Sequence, residues 1–312
     1  MPSPSWSEFW RRRWSQLGGR FRLGRRAVAA LPLVWLSVFF GLPLLIVLRI
    51  SLSETVVGLP PYSALVEWIE GGALSIHLNF SNFALLWQDR LYLDAFIGSV
   101  RIAATATLIC LLLGYPMALG IARARSSLRL PLLLLVILPF WTSFLIRVYA
   151  WIGILKDNGL ANNLLLWLGW IEEPLPLLHT EFAVQLGIVY GYLPFMVLPL
   201  YVTLSRLDGS LLEAAADLGC RPFCAFWRVT VPLSLPGIIA GSLLVFVPAV
   251  GEFVIPDLLG GPDSLMIGKL LWTEFFNNRD WPVASALAVA LLALLVAPVL
   301  LFERLRERAP AG

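Results

Sequence analysis

Ser210-Leu-Leu-Glu-Ala-Ala-Ala-Asp-Leu-Gly219, followed by Cys220-Arg-Pro222 and then by Val229-Thr-Val-Pro232, is a short stretch set between two long apolar runs. Ser210 and Glu213 have the spacing of a capping box, in which hydroxyl and carboxylate satisfy the orphan amides of a helix start, so a helix is expected from Leu211. Gly219 is placed to end it in a left-handed conformation, and Pro222 cannot continue it. About eight helical residues rise roughly 12 Å. Ala214, Ala215 and Ala216 leave part of the surface small, while Leu211, Leu212 and Leu218 offer apolar anchors. Two readings fit: an ordinary surface helix of a loop, or a helix that seats in a groove on another protein.

Outward from this loop the chain is apolar. Of 312 residues, 59% are hydrophobic and 14% charged, against about 25% charged in typical soluble domains. Six runs reach the roughly 20 residues that cross a hydrocarbon layer about 30 Å thick. They lie near Ala27–Ile50, Ala95–Ala122, Leu130–Leu155, Phe182–Leu204, Leu235–Ile255 and Val283–Phe302. In hydrocarbon the backbone must satisfy itself, and continuous apolar runs do so as helices. The expected fold class is therefore all-α, a polytopic membrane protein of six transmembrane helices. The expected organisation is a basic, Trp-rich arm over 1–26, a transmembrane domain over 27–303 that includes the loop 206–233, and a short tail over 304–312. The first run is longer than the roughly 7–15 residues of a signal-peptide core and reads as a retained helix.

Charge sets the direction. With an inside N-terminus, most of the 23 basic residues fall inside: Arg11, Arg12, Arg13, Arg20, Arg22, Arg25 and Arg26 in the arm, Arg123, Arg125 and Arg129, then Arg206, Arg221 and Arg228, and finally Arg304, Arg306 and Arg308. The outside loops hold Arg90, Lys156, Lys269 and Arg279, and most of the 20 acids, Glu54, Glu67, Glu70, Asp257 and Asp263 among them. The positive-inside rule then puts both termini and the loop 206–233 in the cytoplasm. The arm, Trp6-Ser-Glu-Phe-Trp-Arg-Arg-Arg-Trp14, suits an anionic headgroup layer or equally a free basic arm.

Ionisable residues inside spans point to function. Arg49, Arg101, Arg147 and Glu252 are such residues. On straight helices Arg147 and Glu252 each lie roughly 24 Å from the inner end, in the outer part of the membrane. Glu252 either pairs with Arg147 or Arg101 to close an outer gate, or faces a pathway and attracts a cation. Trp141 in Pro139-Phe-Trp-Thr-Ser143 and Tyr149 could line that path through cation–π contacts, or serve as interfacial and packing aromatics. Glu252, Arg147, Trp141 and Tyr149 are thus the candidate pathway or gate residues. Gly187-x-x-x-Gly191 and Gly237-x-x-x-Gly241 offer close helix approach.

Several classes are disfavoured. Gly261 to Lys269 has six residues between its glycines, where a phosphate-binding loop needs four, and Leu270 stands where Ser or Thr is required. Cys110, Cys220 and Cys224 imply neither a disulfide framework nor a metal site, and read as small packing residues. No catalytic cluster, cofactor motif or nucleic-acid patch is present, so the chain is not expected to be an enzyme.

Glu213-Ala-Ala, Gly219 six residues on, and Val229-x-Val-Pro232 ten residues after that resemble the EAA loop of ABC importer permeases, with valines replacing Ile and Leu. Gly251-Glu-Phe-Val-Ile-Pro256, Asp257-Leu-Leu-Gly-Gly-Pro-Asp263 and Phe275-Phe-Asn-Asn-Arg-Asp-Trp-Pro282 resemble the polyamine (putrescine/spermidine) branch of that family. The similarity covers most of the chain after about residue 90, whereas Gly58–Phe80 is idiosyncratic. The resemblance implies a type I ABC importer permease (MetI-like) fold in a bacterial inner membrane. It also implies partners: a second permease subunit in a heterodimer, two ATP-binding cassette ATPase subunits and an extracytoplasmic substrate-binding protein. It makes Glu213, Ala214, Ala215, Asp217, Gly219 and Pro232 the residues that couple to the ATPase, and a polyamine the cargo. Other amines, opines or amino-acid derivatives, and an ATP-independent secondary transporter, are the alternatives.

Overall fold

Without water to solvate it, a peptide group at membrane depth is paired within its own helix or by a side chain brought to it. That rule decides where this chain is regular and where it breaks. The computed structural model describes residues 30–68, 74–262 and 264–308. The expected arm over 1–26, Glu70 and Asp263 lie outside them. The structure falls into two units, one formed by 30–82 with 281–289 and the other by 83–280 with 290–308.

In the first unit, helix α1 (Ala30–Ser51) is apolar and its most apolar stretch is unburied, while Ser51 at its end is buried. A π-helical turn at Ser37–Gly41 precedes Pro43, whose ring blocks the regular hydrogen bond. Beyond α1, strands β1 (Val66–Trp68) and β2 (Leu74–Ile76) pair antiparallel with Val66 opposite Ile76. This hairpin lies in the Gly58–Phe80 segment and is a small exception to the expected all-α chain. Helix α2 (Ser81–Gln88) brings Asn82 to the end of α1, where its amide donates to the Ser51 and Ser53 carbonyls at 3.0 and 2.9 Å. Tyr62 and Trp281 rings lie 6.1 Å apart.

The second unit is built on three long helices that pack pairwise: α3 (Arg90–Arg123), α7 (Glu181–Leu204) and α9 (Pro222–Val250). Their shared seam is made of small residues. Ala95, Ala103, Ala106, Cys110 and Ala118 of α3 are fully buried. On α9 a Cβ at Gly237 would lie 2.6 Å from the Thr203 hydroxyl, and one at Gly241 2.7 Å from the Met196 sulfur and 3.1 Å from its carbonyl oxygen. Gly237 and Gly241 therefore meet α7 as their spacing predicts. Gly187 instead meets Ile255 and Leu259, and Gly191 makes no tight contact.

The expected third span, Leu130–Leu155, is not one helix. Helix α4 (Ser126–Ile137) passes through a 3₁₀ turn at Leu138–Trp141 and breaks, and α5 (Phe144–Leu155) with α6 (Leu160–Trp167) leaves at 87°. Pro139 lacks the amide that would continue the α-helical ladder, which accounts for the change to a 3₁₀ turn, and the chain becomes extended at Thr142 and Ser143. The straight-helix depth for Arg147 therefore does not hold. The expected fifth span also stops early, at Val250. The chain then forms two short helices, α10 (Val254–Leu258) and α11 (Ile267–Trp272). Ser99 of α3 accepts the Ile267 amide at 2.7 Å and so caps α11. The remaining helices are α8 (Gly209–Asp217), in the loop between α7 and α9, and α12 (Trp281–Arg308).

Among the described residues four helices are long and apolar enough to cross a membrane, namely α1, α3, α7 and α9, and up to five if the bent α4–α5–α6 pair is one span. The sixth expected span, Val283–Phe302, falls within the 28-residue helix α12, of which Trp281–Val296 is apolar among the described residues. The chain is thus an all-α polytopic membrane protein, with four clear crossings among the described residues, or five if the bent pair is one span.

Enlarging the seam should cost stability. Gly241→Val is expected to destabilise the purified chain by about 1–3 kcal/mol, the usual cost of overpacking. Gly120→Ala, with open space around its α-carbon, should be neutral or slightly stabilising. Thermal unfolding of both variants in detergent checks the contrast.

Candidate functional site

The loop 206–233 forms a capped helix, but its cap differs from the expected one. Asp208 is the N-cap: its carboxylate accepts the Ser210 amide at 3.0 Å, and α8 begins at Gly209. Ser210 and Glu213 therefore do not form a capping box. An extended Asp two residues upstream offers a charged acceptor, which wins over the hydroxyl. The same bond holds the Asp208 carboxyl below its usual range. The far end is as predicted. Gly219 has φ +79°, and the Cys220 and Gly219 amides donate to the Ala215 and Ala216 carbonyls at 2.9 and 2.8 Å. These two bonds are the Schellman pair, which a left-handed residue makes possible. Pro222 then takes the first position of α9, where its missing amide costs nothing.

The helix has two faces. Leu212, half-buried, and Ala216 line, with Arg123, Cys220, Phe226 and Thr230, a pocket of about 260 Å³ between α8 and the start of α9. Phe226 meets the Tyr115 ring of α3 edge-on at 5.5 Å, and Tyr115 shares a hydrogen bond with Ser234 at 2.9 Å, so the start of α9 is anchored to α3. Leu211, Ala214 and Leu218 lie outward at helical spacing, with Glu213 and Asp217 beside them, and Leu218 is 89% exposed. Ala215 is half-buried, and Pro232 is exposed on α9. Phe223, 77% exposed, and Trp227 extend the apolar surface. The sequence reading missed this aromatic pair. Its four-residue spacing after Pro222 was the available signal, obscured because it begins an apolar run.

A second group surrounds Glu252. This residue follows the last turn of α9 and is 8% exposed. Its Oε1 accepts the Val254 and Ile255 amides at 3.1 and 3.5 Å, and its Oε2 accepts the Tyr192 hydroxyl. The expected pairing with Arg147 or Arg101 is absent. Arg101 pairs with Glu181 at 2.7 Å. Arg147 donates to the Pro139 carbonyl at 2.6 Å and lies over the Phe140 and Phe144 rings, 4.9 and 5.7 Å from their centres. The physical reason is that each charge satisfies backbone groups left by a helix break, donors for Glu252 and an acceptor for Arg147. Glu252 and Arg147 nevertheless line one cleft of about 390 Å³, with Phe140, Phe144, Tyr192, Phe195 and Phe253. Trp272 stacks behind Phe253 at 4.7 Å. Trp141, 75% exposed, and Tyr149 do not line it. Among the described residues no cluster of His, Cys, Asp and Glu is placed to hold a metal ion.

Residues 110–309 match the family described as binding-protein-dependent transport system inner membrane component. The spermidine/putrescine transport system permease protein PotB of Haemophilus influenzae is 38% identical over 281 residues, 90% of this chain and 93% of the relative. PotB of Salmonella typhimurium (strain SL1344) is 44% identical over 223 residues, 72% of this chain and 77% of the relative. A chain of a bacterial alginate ABC transporter, solved in complex with an alginate pentasaccharide-bound periplasmic protein, superposes with a TM-score of 0.70 at 17% identity. That match covers 96% of this chain and 98% of the other, and it shows a common fold.

The ends of α8 should respond separately. Gly219→Val forces a branched residue into the left-handed region and should cost about 1–2 kcal/mol. Amide exchange within α8 should then quicken by roughly tenfold. For Asp208 the folded pKa is depressed, so its cap is complete at neutral pH and is lost as pH falls through the folded value. Protection of the Ser210 amide should hold down to the ordinary aspartate range and fall below it, and Asp208→Ala should remove that pH dependence.

Proposed function

The chain belongs to the family of binding-protein-dependent transport system inner membrane components, and on that premise we propose that it is the membrane-spanning permease subunit of an ABC importer for polyamines such as putrescine or spermidine. It carries the cargo into the cytoplasm, and ATP is hydrolysed on separate subunits. The observation that carries the cargo assignment is the likeness, over nine-tenths of the chain, to a permease named for those two amines. The buried carboxylate of Glu252 among aromatic rings supports it, because such a cleft suits an organic cation.

In this reading α8 is the coupling helix. Its exposed ridge of Leu211, Ala214 and Leu218 seats in a groove of an ATPase subunit, and Phe223 and Trp227 broaden the contact. Glu213 and Asp217 flank the ridge, Ala215 keeps its underside close to α9, and Gly219 sets the angle at which the helix leaves. Pro232 marks where α9 becomes regular and enters the membrane. The inward face of α8 rests on α9 and, through Phe226 and Tyr115, on α3, so a displacement of α8 reaches the three-helix core. Both termini lie in the cytoplasm, as the arginine distribution supports. The partners are a second, different permease chain, two ATPase subunits and an extracytoplasmic binding protein. Glu252 and Arg147 lie on the pathway or its outer gate. Trp141 and Tyr149 belong to a surface that a companion chain or lipid covers.

The complete importer reconstituted in proteoliposomes with ATP inside tests the assignment. Wild-type complex should accumulate radiolabelled putrescine only with ATP and binding protein. Glu213→Ala and Gly219→Val should each lower uptake at least about tenfold, the loss expected when roughly 1.4 kcal/mol of docking energy is removed, while ATP hydrolysis ceases to depend on the binding protein. Uptake without nucleotide, or wild-type coupling in both variants, would refute the role given to α8.

A further inference from the structure

We propose that the guanidinium of Arg147 is a tethered competitor for the amine cargo: it occupies the aromatic wall of the Glu252 cleft, and an ammonium group enters by displacing it. The inference rests on the polyamine reading above and adds a regulatory step to it.

The cleft offers the two kinds of group that recognise an organic ammonium, a carboxylate and aromatic faces. An ionised carboxylate has about four acceptor sites. Glu252 uses three of them on the Val254 and Ile255 amides and the Tyr192 hydroxyl, leaving capacity for an incoming donor. The aromatic faces are already taken. Arg147 stands over Phe140 and Phe144 within cation–π range.

Arg147 is incompletely satisfied there. Among the described residues its Nε is buried without a hydrogen-bond partner, and Nη1 donates to the Pro139 carbonyl. A buried donor without an acceptor raises the free energy of the state that holds it. The ion pair that would lock Arg147 in place is not made, although both side chains line the same cleft. The guanidinium is thus a cation on a cation-binding surface, held by fewer bonds than it can make. Exchange of the guanidinium for one ammonium group leaves the charge beside Glu252 unchanged, and the second ammonium group of a diamine then lies beyond the poorly solvated part of the cleft.

Direct binding of radiolabelled putrescine to the complete importer in nanodiscs, without binding protein, reads the competition, and uptake in proteoliposomes reads its consequence. Arg147→Gln should bind putrescine about tenfold more tightly, because occupancy by the competitor scales the apparent affinity by the free fraction. Its half-saturating concentration for uptake should fall while maximal turnover also falls, a split that a purely structural arginine would not produce. Arg147→Lys, which keeps the charge but not the planar stack, should lie between. An assembled Arg147→Gln complex with unchanged or weaker binding would overturn the proposal. Should that variant fail to assemble, Arg147→Lys decides alone, with a gain supporting competition and unchanged or weaker binding overturning it. Absence of putrescine uptake by the wild-type importer would remove the polyamine reading and this proposal together, whereas wild-type uptake without a gain in the variants would remove only the competition.

Discussion

Close approach of α3, α7 and α9 is the constraint on which the second unit depends. Lipid tails solvate apolar side chains as well as other helices do, so helices associate by packing and backbone proximity rather than by escape from water. Gly237 and Gly241 bring the backbone of α9 against Thr203 and Met196 of α7 at distances a methyl group would obstruct. Ala103, Ala106 and Cys110 of α3 are fully buried. Everything of functional interest is referred to this seam. The base of α8 reaches it through Phe226 and Tyr115, and the Glu252 cleft forms where α7 and the end of α9 diverge.

Breaks in the helices carry the charges. Where α4 stops at Pro139, a carbonyl is released from the helix ladder, and the guanidinium of Arg147 comes to it. Where α9 stops at Val250 and α10 begins, two amides are released, and Glu252 accepts them. In each case a residue that is costly in hydrocarbon meets a backbone group that is equally costly when left alone. The breaks therefore hold two ionisable side chains at one cleft without pairing them with each other.

The loop helix illustrates a different economy. Its ends are secured by local chemistry, Asp208 at one and Gly219 at the other, so its conformation does not depend on a partner. Its outward side leaves Leu218 exposed, and Phe223 and Trp227 at the start of α9 extend that apolar surface, as a surface ready for contact would be. A preformed helix with an uncovered ridge loses little conformational freedom on docking and can transmit displacement as a rigid body.

How much could be read in advance follows from the range of each interaction. Apolar runs, the left-handed Gly219, the small-residue face of Gly237 and Gly241 and the position of the exposed loop helix were legible in the sequence. Each depends on neighbours within a few residues or on a helical period. The cap at Asp208 was equally local and was missed because the Ser–Glu spacing offered a competing pattern. The 87° turn after Pro139, the partners of Glu252 and Arg147, and the hairpin of β1 and β2 required the tertiary structure. A proline permits a bend without setting its angle, and a buried charge takes whichever partner the fold brings near. By itself the sequence determined which segments are helical and apolar and where the capped loop lies. Only the folded chain decided that the two charges share a cleft yet stay apart, because that depends on distances between groups far apart along the chain.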